Sequence, residues 1–205
     1  MDIAEKIMRV KEDYDKIYQK YQYENALKES IISREITEIY SNTTSLDKYI
    51  FYNCEKLKKA HFPNATYIGG VSLNNCKALV DIYIPKVHHI NGRAFENCSS
   101  LNYIDMPCVN NLYGGNNFLN CNLLDVVVLR SSLGFCTLGN ISSFQGTPIE
   151  LGTGYVYVPR DLIESYKTAT NWTTYASQFR ALEDYTVDGT IDGELDWDKV
   201  NGGTA

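Results

Sequence analysis

Positive charge is in short supply in this 205-residue chain: 19 Lys and Arg stand against 25 Asp and Glu, for a formal net charge of −6. A nucleic-acid-binding protein needs a basic stripe facing the phosphates, and here the cations are scattered or set beside acids. No run of 18 apolar residues occurs, so nothing in the sequence reads as a membrane-spanning helix. The segment Met1 to Lys16 is heavily charged and lacks the apolar stretch of a secretory signal. The expectation is a chain that stays in a cytoplasm or leaves it without a cleaved signal. Histidine is equally scarce, with only His61, His88 and His89. A Ser/His/Asp or Cys/His site is therefore poorly supplied. There is no Cys-x-x-Cys, and the acids near the C-terminus lack calcium-loop spacing, so no metal or other cofactor is expected. Gly69-Gly70 and Gly114-Gly115 read as turn glycines rather than a phosphate loop. An enzyme is not the expectation.

What is abundant is tyrosine, with 16 copies against 7 Phe and 2 Trp. Tyr offers wide amphipathic contact at low rotamer cost and is enriched on recognition surfaces, but it is also a good strand former.

The organising feature is a repeat. Cys54, Cys76, Cys98 and Cys121 each follow an asparagine: Asn53, Asn75, Asn97 and Asn120. Three residues before each Cys stands Phe51, Leu73, Phe95 or Phe118, and three after it Leu57, Leu79, Leu101 or Leu124. Ala60, Ile82, Ile104 and Val127 continue the register, as do Phe62, Ile84, Met106 and Leu129. Pro63, Pro85 and Pro107 come next, with Arg130 breaking that column, and then Ile68, Ile90 and Leu112. Self-similarity at about 22 residues is the mark of a solenoid, in which one unit cannot bury its own apolar face but a stack can. The alternation in Leu79-Val80-Asp81-Ile82-Tyr83-Ile84 predicts one short strand per unit, stacked in parallel, with the Phe and Cys of the intervening arc pointing inward. The cysteine column reads as core with reduced thiols. Ile36–Ile39 reads as a degenerate first strand, and Phe144 with Tyr155–Val158 as a last, lengthened unit.

The unit F-x-N-C-x-x-L-x-x-I-x-I-P-x-V-x-x-I, most clearly seen at Arg93-Ala94-Phe95-Glu96-Asn97-Cys98, closely resembles the BspA-type leucine-rich repeat. The resemblance covers residues 36–160. It implies an α/β repeat solenoid: a short leucine-rich-repeat stack with a parallel strand ladder. The segment from Gly152 to Pro159, with Tyr166-Lys167 and Asn171-Trp172, is similar to the cap that ends such arrays in gut-bacterial and prophage proteins.

Four regions follow. Residues 1–30 are expected to be helical, with a heptad seam in which Ile7, Tyr14 and Tyr21 share one core position and Ile3, Val10 and Ile17 the other. They form either a coiled coil or an amphipathic cap on the first repeat. Two core tyrosines are bulky for a dimer and suit three or more chains or packing on another protein. Residues 36–160 hold the repeats. Residues 161–183 are expected to be a helical cap, with Trp172, Tyr175, Phe179 and Leu182 as its apolar stripe. Residues 184–205 form an acidic, partly extended tail, whose Leu195 and Trp197 either dock on a neighbour or fray.

If the strands stack, their outward positions form one continuous face: Lys59 and His61, Asp81 and Tyr83, Tyr103 and Asp105, Val126 and Val128, Tyr155 and Tyr157. Tyr beside Asp suits sugars or polar peptides, with the ring for stacking and the carboxylate for hydroxyls. Val126 and Val128 would leave an apolar patch fit for an oligomer contact. Family members are implied to be surface adhesins or, when they lack a signal and begin with a helix, parts of phage virions. The leading expectation is a virion component (fibre, tail or head-decoration protein), self-associating through its helix and reaching a host glycan or protein. The alternatives are a bacterial cell-surface adhesin module or an intracellular interaction scaffold.

Overall fold

The computed structural model describes residues 35–130 and 134–185. The seam positions Ile3, Ile7, Val10, Tyr14, Ile17 and Tyr21, and Leu195 and Trp197 of the tail, lie outside the described residues.

Each rung of the stack contributes two short strands. The first holds β1 (Glu38–Tyr40) and β2 (Ser45–Leu46), and the second β3 (Lys59–His61) and β4 (Tyr67–Ile68). The third holds β5 (Asp81–Tyr83) and β6 (His89–Ile90), the fourth β7 (Tyr103–Asp105) and β8 (Asn111–Leu112), and the fifth β9 (Val126–Val128) and β10 (Thr137–Leu138). β11 (Tyr155–Val158) follows, then helix α1 (Ile163–Thr168) and β12 (Phe179–Ala181). Every strand pairing is parallel and in register with the sequence columns: Ile39 lies opposite Ala60 and Ala60 opposite Ile82. The first strands of the rungs form two sheets, β1-β3-β5 and β7-β9-β11-β12, and the second strands form one continuous ladder, β2-β4-β6-β8-β10. The chain is thus a repeat solenoid with few helices.

The column residues are the core. Cys54, Cys76, Cys98 and Cys121, and Leu57, Leu79, Leu101 and Leu124 one turn on, are fully buried. Phe95, Phe118 and Phe144 stack on one another with centroids 5.3 Å apart at each step. All six cysteines carry free thiols. Cys76, Cys98 and Cys121 donate their S–H groups to the carbonyls of Phe51, Leu73 and Phe95 in the rung before, at 3.2, 3.2 and 3.0 Å. The column is therefore core, as the spacing predicts.

The asparagine before each cysteine has a different task. Asn53, Asn75, Asn97 and Asn120 sit at φ of 62°, 61°, 61° and 60°, a left-handed conformation that Asn tolerates better than most side chains. Their amides then chain along the stack: Asn75 Nδ2 donates to Asn53 Oδ1 at 2.7 Å, Asn97 to Asn75 at 2.8 Å and Asn120 to Asn97 at 2.9 Å. Gly146 ends the column at φ 75°, where a Cβ would stand 2.9 Å from Asn120 Oδ1.

The C-terminal segment departs from the expected helical cap. Helix is confined to the six residues of α1, with 3-10 turns at Arg160–Leu162 and Trp172–Gln178. Phe179, read from its spacing as part of a helical stripe, instead opens β12, which pairs with β11 through Val156–Phe179 and Val158–Ala181. A 3-10 turn followed by a strand places Trp172, Tyr175 and Phe179 on one side as a helix would, so spacing alone could not separate the two. The segment also supplies the polar contacts that a further rung would have made. Trp172 Nε1 donates to the Cys136 carbonyl at 2.8 Å, and Asn171 Nδ2 to the Leu138 carbonyl at 2.7 Å. The Tyr175 hydroxyl donates to the Ile141 carbonyl, and the Cys136 N–H donates to the Tyr166 hydroxyl at 2.9 Å. Buried backbone groups at the end of a ladder are thereby satisfied by side chains.

Candidate recognition face

The outward strand positions fall on two sheets, β1-β3-β5 and β7-β9-β11-β12, and the two halves differ in character. In the first half, His61 and Tyr83 are opposite one another on β3 and β5, as are Lys59 and Asp81. His61 Nε2 lies 2.8 Å from Asp81 Oδ2, with the two side chains only 15% and 19% exposed. The rings of Tyr40 and Tyr83 meet the imidazole edge-on, with centroids at 4.8 and 5.7 Å. Tyr40 is the most open of this group, at 42% exposure. The result is a row of aromatic edges around one polar pair, set on a parallel ladder whose inward residues are core. Tyr40 was not among the expected face residues: it follows the expected first strand, Ile36–Ile39, and occupies the outward position opposite His61 one rung earlier.

The second half is covered, which corrects two expectations. Val128 is fully buried and Val126 partly so, leaving no apolar patch there. Asp105, expected to point to solvent, is 3% exposed. Arg130 grips it: Nε lies 3.1 and 2.9 Å from the two carboxylate oxygens and Nη2 2.8 Å from Oδ2. This is why Arg130 interrupts the proline column, and it was the one sequence signal that Asp105 had a partner. Burial raises the Asp105 carboxyl above its ordinary range, against the lowering effect of Arg130. The cover is the returning C-terminal segment. Tyr185 lies 4.5 Å from the Tyr157 ring and 6.3 Å from the Tyr103 ring, and Arg180 sits 4.1 Å over the Tyr155 ring. Burial raises the hydroxyls of Tyr103, Tyr157 and Tyr185 above the usual phenol range. The Tyr103 oxygen is buried with no hydrogen-bond partner. Tyr185 and Arg180 lie beyond the repeat columns, so periodicity carried no sign of them.

A shallow groove of about 350 Å³ runs along the asparagine ladder, lined by Asn75, Lys77, Asn97, Ser99, Asn120 and Asn122. Its column amides already bond one another, which leaves them little capacity for a ligand. Among the described residues no group of three or more His, Cys, Asp and Glu could hold a metal ion, and no helix is long and apolar enough to cross a membrane.

Six copies of the BspA type leucine rich repeat region match residues 16–144. No curated protein sequence matches the chain. Among solved structures, a leucine rich cell surface protein from Faecalibacterium prausnitzii superposes with a TM-score of 0.51 at 19% identity, covering 68% of this chain and 34% of its own. A leucine-rich repeat protein from Bacteroides ovatus gives a TM-score of 0.46 at 23% identity, covering 70% and 41%. The chain thus spans less than half the length of either neighbour. With the repeat columns, the parallel ladders and the family match in agreement, this chain belongs to the BspA-type leucine-rich-repeat family.

Proposed function

We propose that the chain is a non-catalytic recognition module that takes a protein or glycan partner on its strand face. The observation that carries this reading is the row Tyr40, His61, Asp81 and Tyr83. Four half-buried or exposed side chains, aromatic and polar, occupy neighbouring outward positions of consecutive parallel strands. Solenoids present such rows as extended binding surfaces. Tyr rings flanking a carboxylate offer stacking and hydrogen bonding together, and the fixed ladder keeps the ordering cost of binding low. In the second half, Tyr103, Tyr155 and Tyr157 serve the same face only where the C-terminal segment leaves them open, while Asp105 is taken up by Arg130.

Two settings fit such a module. The Faecalibacterium neighbour is described as a cell surface protein, which supports a bacterial surface adhesin. The heptad seam Ile3, Ile7, Val10, Tyr14, Ile17 and Tyr21 supports a virion component that assembles with itself, as a trimer, or with other virion proteins. Neighbouring genes separate the two: capsid or tail genes alongside would support the virion setting, and their absence would remove it. The face itself is tested by Tyr83→Ala combined with Tyr40→Ala. Attachment to bacterial or host cells should fall at least tenfold, and unchanged attachment would move the site elsewhere.

A further inference from the structure

Three consecutive residues near the end of the described chain are each held by a different group around the second half of the face. The Glu183 carboxylate accepts the Arg160 backbone N–H at 3.3 and 3.2 Å. Asp184 Oδ1 accepts from Arg160 Nη2 at 2.5 Å. Tyr185 then places its ring beside those of Tyr157 and Tyr103, lying within 17° of parallel to the latter. Acid, acid and aromatic thus meet a backbone donor, a guanidinium and an aromatic slot in that order.

The closure is lightly held. Arg160 and Asp184 are 60% and 64% exposed, so water competes for their pair. Tyr185 remains partly exposed, and the Tyr103 hydroxyl in the slot has no partner while the slot is occupied. A buried hydroxyl without a partner counts against the closed arrangement. Arg180 adds a second cation on the same flank, over Tyr155. Such a contact reads as a latch that another segment of like chemistry can displace, rather than as part of the core.

We propose that the slot formed by Tyr103, Tyr157 and Arg160 is a peptide-binding site for a segment with two acids followed by an aromatic residue, and that Glu183-Asp184-Tyr185 occupies it as an internal competitor. This rests on the strand face being a recognition surface and adds the chemistry of the partner. A tethered segment acts at a high effective concentration, so the unmodified chain binds such peptides weakly, and removing the tyrosine opens the slot.

The test is fluorescence anisotropy with a labelled synthetic peptide of residues 182–188, Leu-Glu-Asp-Tyr-Thr-Val-Asp, against the full chain. Tyr185→Ala should bind it at least tenfold more tightly than the unaltered chain. Tyr185→Phe, which keeps the ring, should stay closed and bind weakly, and circular dichroism confirms that each variant is folded. Adding Tyr103→Ala to Tyr185→Ala, or replacing the peptide tyrosine with alanine, should abolish binding. Equal affinity of the unaltered chain and Tyr185→Ala, or binding indifferent to Tyr103→Ala, would overturn the proposal. Loss of cell attachment on Tyr83→Ala alongside a negative peptide result would retain the recognition face and reject only this slot. Peptide binding without any effect of Tyr83→Ala would do the reverse.

Discussion

Arg130 and Asp105 form a buried, three-contact ion pair, from rungs whose other residues at these places are a proline and an outward side chain. Removing the cation leaves a carboxylate with 1% of its side chain exposed. Arg130→Ala should therefore cost about 3–5 kcal/mol at neutral pH, read by urea unfolding. The pH dependence follows from the raised carboxyl. With its main lowering influence gone, the folded-state value rises further above the ordinary value of about 3.9. Stability is then fully present below that ordinary value and is lost as pH rises through the folded-state one. The deficit of Arg130→Ala should shrink markedly near pH 4; a deficit equal at pH 4 and pH 7 would contradict the pairing.

The asparagine ladder predicts a graded series at one position. Asn97→Ala loses two amide bonds and puts a less tolerant residue at φ 61°. A loss of about 2–3 kcal/mol is expected. Asn97→Gly loses the same bonds without the conformational cost and should be milder.

Val71 is the converse case. It is a β-branched residue at φ 63°, a conformation costing about 1–3 kcal/mol. Val71→Gly should raise the thermal midpoint despite the greater freedom it gives the unfolded chain. A lower midpoint would show that its side-chain contacts outweigh the strain.

The thiols make a fourth prediction. Burial pushes Cys54 up to about 12 and also raises Cys76, Cys98 and Cys136. Only the thiolate reacts with disulfide reagents, so at pH 8 the folded chain should react rapidly at Cys108 alone, the one cysteine not fully buried. The other five should follow only in denaturant, and rapid native reaction at several thiols would contradict the buried column.

Much of this was legible because a residue that is buried once per rung recurs at the rung spacing. Cys54, Leu57, Ala60 and Phe62 announced the core and the first strand of each rung together. The second ladder was not legible: two-residue strands such as Tyr67–Ile68 are too short to show alternation. Asp105 and Val128 were placed outward by strand parity, yet both are buried: Arg130 grips Asp105 from the next rung, and the C-terminal segment returns over the same half of the face at Tyr103, Tyr155 and Tyr157. Parity reports which side of a strand a residue takes and not what covers it.

The central claim, that the strand face is where a partner binds, is tested most directly by probing an array of glycans and acidic-aromatic peptides with the full chain. Tyr83→Ala, Tyr157→Ala and Lys77→Ala are run in parallel, the last altering the asparagine-ladder groove instead. The account predicts a ligand whose signal survives Lys77→Ala and falls at least tenfold on Tyr83→Ala or Tyr157→Ala. A ligand that tolerates both tyrosine changes and is lost with Lys77→Ala would place recognition at the asparagine-ladder groove and contradict it.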